Sequence, residues 1–409
     1  MSDTSAPNRQ GPWPLALIVS GGVLIRLALI VAGGGRLDDP DNYLPLARSL
    51  AGGDGLSFGG RPTAYRPPLY PILLAPLAAA FEGKHLLAGV AAFQLILAAM
   101  TIVLAGATAR RWGLSFGRSL AAAAVVAFDP VLALQARSVM TETLAAFLVA
   151  LTLFLLTLRG PRGAIAGGIG FGLAALCRPS LLPGAGLTAG AALICGPGAW
   201  PTRAARSGLI ALATILTLTP WAIRNARIFG EPVWTTTHGG YTLALANNPV
   251  YYREILDGPP GAVWSGESLA RWQEELTRPV AGLPEPEADR RIAADVRRLI
   301  RERPGTFARA SLARLGRFWG IAPSGSVYST AVRLATAAWT VPLWAALAVG
   351  LLRPGVRRWP AAAAACVIVA LSIVHILYWT DLRMRSPIVP AIALIAAGWA
   401  RPGRRDEAE

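Results

Sequence analysis

The chain has 409 residues, 54% of them hydrophobic, and a mean hydropathy of +0.46. That is well above the apolar share of a soluble domain, and runs of about 20 apolar residues recur along its length, which makes it a polytopic membrane protein. The formal net charge of +16 comes almost wholly from arginine, with Lys84 the only lysine. The arginines sit largely in short loops between apolar runs, a pattern of membrane orientation that excludes a nucleic-acid groove.

About ten membrane helices are predicted. The first, about 14–33, reads as an uncleaved span rather than a signal peptide, because Arg26 interrupts it and little positive charge precedes it. A structural role is expected for Arg26, by snorkelling or by facing the interior. The acid cluster Asp38, Asp39 and Asp41 follows, with Asn42 and Tyr43 completing the motif. Tyr43, Leu46, Ala47 and Leu50 have the spacing of a short helix. The outer segment 34–85 then continues through Tyr65-Arg66-Pro67-Pro68-Leu69-Tyr70-Pro71, a stiff entry into a further apolar stretch.

The next helices are predicted at about 86–109, 118–128, 141–158, 163–176, 181–196 and 207–222. The last of these closes with Pro220-Trp221-Ala222-Ile223-Arg224-Asn225. A long polar interval, 226–320, includes a strongly amphipathic helix near 285–303. Its Ile292, Val296, Leu299 and Ile300 face one way and its arginines another, which predicts a helix lying on the membrane surface. Helices at about 331–352, 360–379 and 386–400 finish the chain. Neither a separate soluble catalytic domain, nor a glycine-rich nucleotide loop, nor an internal repeat is evident. Cys177, Cys195 and Cys366 lie in or beside apolar segments and form no Cys-x-x-Cys pair, so they read as small buried hydrophobes.

With a cytoplasmic N-terminus, five arginine-bearing loops or tails fall inside: Arg110/Arg111/Arg118, Arg159/Arg162, Arg203/Arg206, Arg353/Arg357/Arg358 and Arg401/Arg404/Arg405. The acid cluster, Arg66, Arg137, Arg178, Arg224, Asp381, Arg383 and Arg385 then share the outer face. Arginines there run against the orientation rule, and a phosphate-bearing ligand would account for them. Carboxylates at the same face can take a proton from a hydroxyl or hold a metal. The pairing suggests chemistry on a phosphorylated lipid.

The ordered series of motifs resembles the GT-C class of bacterial membrane glycosyltransferases. It runs from the acid cluster and Tyr43 through Arg66-Pro67-Pro68-Leu69-Tyr70-Pro71, Thr141-Glu142 and Arg178-Pro179 to Pro220-Trp221-Ala222-Ile223-Arg224-Asn225. It continues with Gly239-Gly240-Tyr241, Asn247-Asn248-Pro249, Glu287-Ala288-Asp289-Arg290-Arg291 and Arg383-Met384-Arg385-Ser386-Pro387. These are the relatives of protein O-mannosyltransferases, of the lipid A aminoarabinose transferase and of the lipopolysaccharide-core galacturonosyltransferase-like group. The resemblance covers nearly the whole chain and implies a single all-α GT-C membrane domain over 1–409. It also implies a polyprenyl-phosphate sugar as donor and a lipid, glycan or protein as acceptor. Transfer is then expected on the outer side of a bacterial cytoplasmic membrane.

By the same resemblance Asp39 takes the place of the catalytic acid, with Asp38 and Asp41 as the other candidates, and Arg66 takes that of the cation on the carrier phosphate. Where the aminoarabinose transferase has a metal-binding glutamate, this chain has Tyr65. The residues themselves leave another reading of the aspartates open, as caps of the helix that starts at Tyr43. Arg224, Arg178, Arg383 and Arg385 are further candidates for the donor phosphate, with lipid headgroup binding as their ordinary alternative. Tyr43, Glu142 and His238 are possible accessory residues, Glu142 also as a helix N-terminal acid and His238 also as an ordinary loop histidine. His375 reads as an interior histidine. No His, Asp and Glu cluster has a compelling metal spacing, so a divalent metal stays open. The competing function is a transporter or flippase of a polyprenol-linked glycan. It would call for mid-membrane ionisable groups and repeated halves.

Overall fold

A computed structural model describes residues 11–259, 261–324 and 327–398. Every predicted membrane segment is helical. Trp13–Ala32, Gly83–Arg111, Trp200–Phe229 and Thr330–Leu351 are long and apolar enough to cross a bilayer, and Phe116–Phe128 with Pro130–Arg137, bent by 42°, has the form of a broken span or a re-entrant loop. Glu142–Leu155, Gly160–Cys177, Leu182–Cys195, Ala362–Leu377 and Val389–Ala397 complete the set. The Glu142–Leu155 helix has 14 residues, about 21 Å of helix, which is short of a full hydrocarbon core and leaves its polar N-terminus inside the protein. The chain is a multi-pass helical membrane protein. The arginines at 401, 404 and 405 and the end of the last predicted helix lie outside the described residues.

Small residues let the helices approach closely. A Cβ at Gly168 would sit 2.7 Å from the Ala213 side chain, and one at Gly172 would sit 2.7 Å from Thr217 Cγ2. The Gly160–Cys177 helix therefore packs backbone to backbone on Trp200–Phe229, in the manner of a small-xxx-small interface. Thr214 Oγ1 seals the contact by donating to Gly168 O at 3.0 Å. The Trp200–Phe229 helix runs through Pro220 and ends at Gly230. It is longer than predicted because one missing N–H does not stop a helix whose flanks are packed. Gly230 supplies the left-handed φ of 77° at its end.

Arg26 is an interior structural residue: it donates to Gly22 O at 2.9 Å, Ala127 O at 2.7 Å and Val126 O at 3.1 Å. His375 is buried too, stacked on Phe318 with centroids 5.1 Å apart.

The loop arginines gather at one end. Arg111 lies over Phe154, 4.7 Å from the ring centroid, and Arg206 lies over Trp359 at 5.8 Å. Phe154 is in the last turn of the helix whose first residue is Glu142. The arginine-rich loops and Glu142 therefore occupy opposite ends of the bundle.

The amphipathic helix is corrected in its placement. It spans Glu285–Glu302, and Ile292, Ala293 and Val296 are buried in protein. Ile292 and Val296 join Tyr251, Tyr252, Ile255, Trp264, Trp272 and Val280 in a hydrophobic core built from the long polar interval. The aromatic residues of that segment cover its apolar stripe, which a membrane surface was expected to do. Its entry is tight: at Gly240 a Cβ would lie 3.0 Å from Ala293 N, so only glycine lets the Gly239–Ala246 helix meet it.

Candidate functional site

The segment after the first helix turns sharply. Asn42 N–H donates to Asp39 O at 3.3 Å, closing a four-residue turn with proline in its favoured second position. Asn42 takes a φ of 59°, a left-handed conformation that asparagine tolerates. The turn aims the two aspartates differently. Asp39 Oδ1 accepts from Tyr43 N–H and Oδ2 from Leu44 N–H, both at 2.8 Å, so Asp39 caps the Tyr43–Ala51 helix. Burial raises its pKa above the ordinary range, against the pull of those two N–H bonds, and the like charge of Asp41 adds to the rise. Asp41 instead accepts from Arg66 at 2.8 Å. The Asp38 side chain is exposed, while its backbone pairs with Ser138. That pairing ties the acid turn to the irregular segment leading into Glu142.

A second charged group comes from helix ends distant in sequence. Glu142 opens its helix and is fully buried, Arg178 follows Cys177, and Arg383 sits in the 3₁₀ turn Leu382–Ile388. Glu142 Oε1 lies 3.1 Å from Arg178 and 3.8 Å from Arg383, which also faces Asp381 at 3.4 Å. Arg178 donates further to Thr141 Oγ1 at 3.2 Å. The ion pairs lack hydrogen-bond geometry: both Glu142 oxygens, Arg383 Nε and the Tyr70 hydroxyl are buried with no hydrogen-bond partner. Such groups cost free energy when left unmet and mark where a polar ligand would be received.

Tyr43 and Tyr70 join the two groups, their rings edge to face with centroids 5.2 Å apart. Arg383 lies within electrostatic reach of Asp41 and Tyr43, and Tyr70 within that of Asp39 and Glu142. Asp39, Asp41, Arg66, Glu142, Arg178 and Arg383 thus form one constellation at the end opposite the arginine-rich loops.

The other candidates fall elsewhere. Arg224 donates to Thr63 O and Leu56 O, each at 2.8 Å, and lies over Trp221. Its fork grips the backbone leading to Arg66. Arg385 is buried, bonds Gly320 O and lies over Trp344, so it is not among the constellation's cations. His238 meets Tyr65 edge-on at 4.2 Å, beside Arg66.

No family model matches the sequence, and no curated protein matches it. Solved structures do. The apo crystal structure of an oligosaccharyltransferase from Archaeoglobus fulgidus superposes over 95% of this chain with a TM-score of 0.54 at 17% identity. The same enzyme tethered to an acceptor peptide containing the NVT sequon gives 0.53 over 96% of the chain at 15% identity. The fold is that of the GT-C glycosyltransferases. ArnT from Cupriavidus metallidurans bound to undecaprenyl phosphate superposes more loosely, with a TM-score of 0.41 and 12% identity over 95% of this chain and 78% of that one. The present chain spans about half the length of the oligosaccharyltransferase, 50% of it in the apo structure.

Among the described residues, no three His, Cys, Asp or Glu side chains come together as a metal site. Residues without an assigned role in the sequence reading also belong to the site. Tyr70 follows Arg66 by four residues within the Arg-Pro-Pro motif. Its place on the first turn of the Leu69–Ala80 helix was the signal available. Thr141 was legible only as part of the Thr-Glu motif, because its partner Arg178 lies far along the chain, and Asp381 only as an acid two residues before Arg383, which it faces. Glu285 belongs with them: its Oε2 accepts from Ala64 N–H at 2.9 Å and from Thr237 Oγ1 at 3.0 Å, fastening the Arg66 loop to the second outer segment.

Proposed function

We propose that this chain transfers a sugar from a polyprenyl-phosphate carrier to an acceptor hydroxyl, with inversion, on the outer face of a bacterial cytoplasmic membrane. The observation that carries the reading is the convergence of Arg66, Arg178 and Arg383 on Asp39, Asp41 and Glu142, with buried polar atoms left unmet, opposite the arginine-rich loops. Arginine forks suit a phosphate whose charge grows as the sugar leaves.

In this mechanism the acceptor oxygen attacks the anomeric carbon and forms the new C–O bond. The bond from that carbon to the phosphate oxygen breaks, and its electron pair stays on the carrier phosphate. The hydroxyl proton passes to Asp39, whose raised pKa makes it a stronger base than an ordinary carboxylate and whose two N–H bonds hold it in place. Asp41 orients Arg66, and Glu142 holds Arg178 and Arg383 in register for the phosphate. Arg224 and Glu285 fix the loop that delivers Arg66.

The test is transfer from a panel of radiolabelled polyprenyl-phosphate sugars in membranes, with wild type beside Asp39→Asn and Arg66→Gln. Label should move to an acceptor with wild type and fall by about 10²–10⁴ in Asp39→Asn. No transfer from any donor by folded protein would overturn the reading in favour of transport of a polyprenol-linked glycan.

A further inference from the structure

Beside the charged constellation lies a patch of different chemistry. Tyr65, next in sequence to Arg66, meets the His238 ring at 4.2 Å, and His238 stacks on Tyr241 at 5.0 Å with 24° between the planes. Tyr241 leans on buried Trp272 at 5.9 Å. The rings come from both outer segments, and Tyr65, His238 and Tyr241 are all partly exposed.

Their polar atoms are not all spent. Gln273 Nε2 donates to Tyr241 Oη at 2.6 Å, which leaves the phenol proton free to donate elsewhere. His238 Nδ1 is buried without a partner. Burial and the neighbouring Arg66 push the His238 pKa down to about 3, so its ring is neutral. The nearby carboxylate of Asp289 is occupied by Gly240 N–H at 2.6 Å, and Arg66 is paired with Asp41.

Aromatic rings with uncharged hydroxyl, imidazole and amide tips suit a pyranose. The C–H face of the sugar lies on the rings and its hydroxyls meet the tips. Tyr65, His238, Tyr241 and Gln273 themselves offer an anionic sugar no cation, and Arg66 beside them is assigned to the phosphate. We propose that Tyr65, His238, Tyr241 and Gln273 form a subsite for an uncharged sugar ring, alongside the phosphate end at Arg66. This deepens the proposed function and rests on its reading of Arg66. The ring belongs either to a glycan acceptor or to the sugar on the carrier.

Saturation-transfer NMR on the full chain in nanodiscs tests it, with methyl α-mannoside and methyl β-galactoside as probes beside methyl α-galacturonoside and an Ala-Thr-Ala peptide. The neutral glycosides should take up saturation, and Tyr241→Ala or the milder Gln273→Leu should weaken them roughly five- to ten-fold. A signal persisting with excess polyprenyl-phosphate hexose assigns the ring to the acceptor; displacement assigns it to the carrier. Equal saturation of the galacturonoside or the peptide, or neutral signals unchanged in both variants, would overturn the subsite. Undecaprenyl-phosphate binding, read in parallel by native mass spectrometry, should be weakened in Arg66→Gln and kept in Gln273→Leu. Glycoside binding without any undecaprenyl-phosphate binding by the wild type would instead strike at the proposed function and leave the sugar subsite standing.

Discussion

Glu142 lies 3.1 Å from Arg178 and is fully buried, yet neither of its oxygens receives a hydrogen bond. A buried carboxylate in this position depends on the two arginines that face it. Glu142→Ala should lower stability by about 3–5 kcal/mol, because it strands Arg178 and Arg383 without their counter-ion. Chemical denaturation in detergent measures this. The double variant Glu142→Leu/Arg178→Met should recover much of the loss while remaining inactive. A Glu142→Ala protein as stable as wild type would mean that the pair is solvated.

Replacing Asp41 and replacing Arg66 should shift the pH dependence of transfer in opposite directions. As a base Asp39 acts deprotonated, so activity rises with pH through its pKa, which lies above the ordinary 3.8. Asp41→Asn removes a like charge and frees Arg66, so both effects lower that pKa. The acid limb should move to lower pH. Arg66→Gln removes the opposing cation, and its residual activity should show the limb at higher pH. The pH profile of kcat/KM checks both, and shifts in the same direction would rule out Asp39 as the titrating base.

Glu285 acts on the site through the loop it fastens. Two donors converge on its Oε2, and hydrogen bonds to a charged acceptor contribute about 1.5–3 kcal/mol each. Glu285→Ala should therefore raise the KM for the carrier roughly ten-fold, with a smaller effect on kcat. Glu285→Gln keeps an acceptor oxygen and should restore much of the affinity. Equal losses of kcat in both variants, with KM unchanged, would count against a positioning role.

Gly172→Val tests the close helix contact. The added Cβ alone would sit 2.7 Å from Thr217 Cγ2, and overpacking costs about 1–3 kcal/mol. The melting temperature should fall, whereas Gly186→Val, where a Cβ meets open space, should leave it nearly unchanged.

The sequence by itself determined the helical segments, the end of the bundle that carries the loop arginines, and the acid and Arg-Pro-Pro motifs. These depend on apolar length, charge placement and short-range turn chemistry, all local in the chain. Tertiary structure decided which arginine meets what. Arg66, Arg178 and Arg383 face carboxylates, whereas Arg224 and Arg385 hold backbone carbonyls; apart from Asp381 beside Arg383, these partners lie far along the chain. The amphipathic helix makes the same point. Its stripe was legible, but an apolar stripe is satisfied equally by lipid or by Trp272 and its neighbours. Only the packing of the second outer segment chose between them, because the surface that covers a hydrophobic face can come from anywhere in the chain.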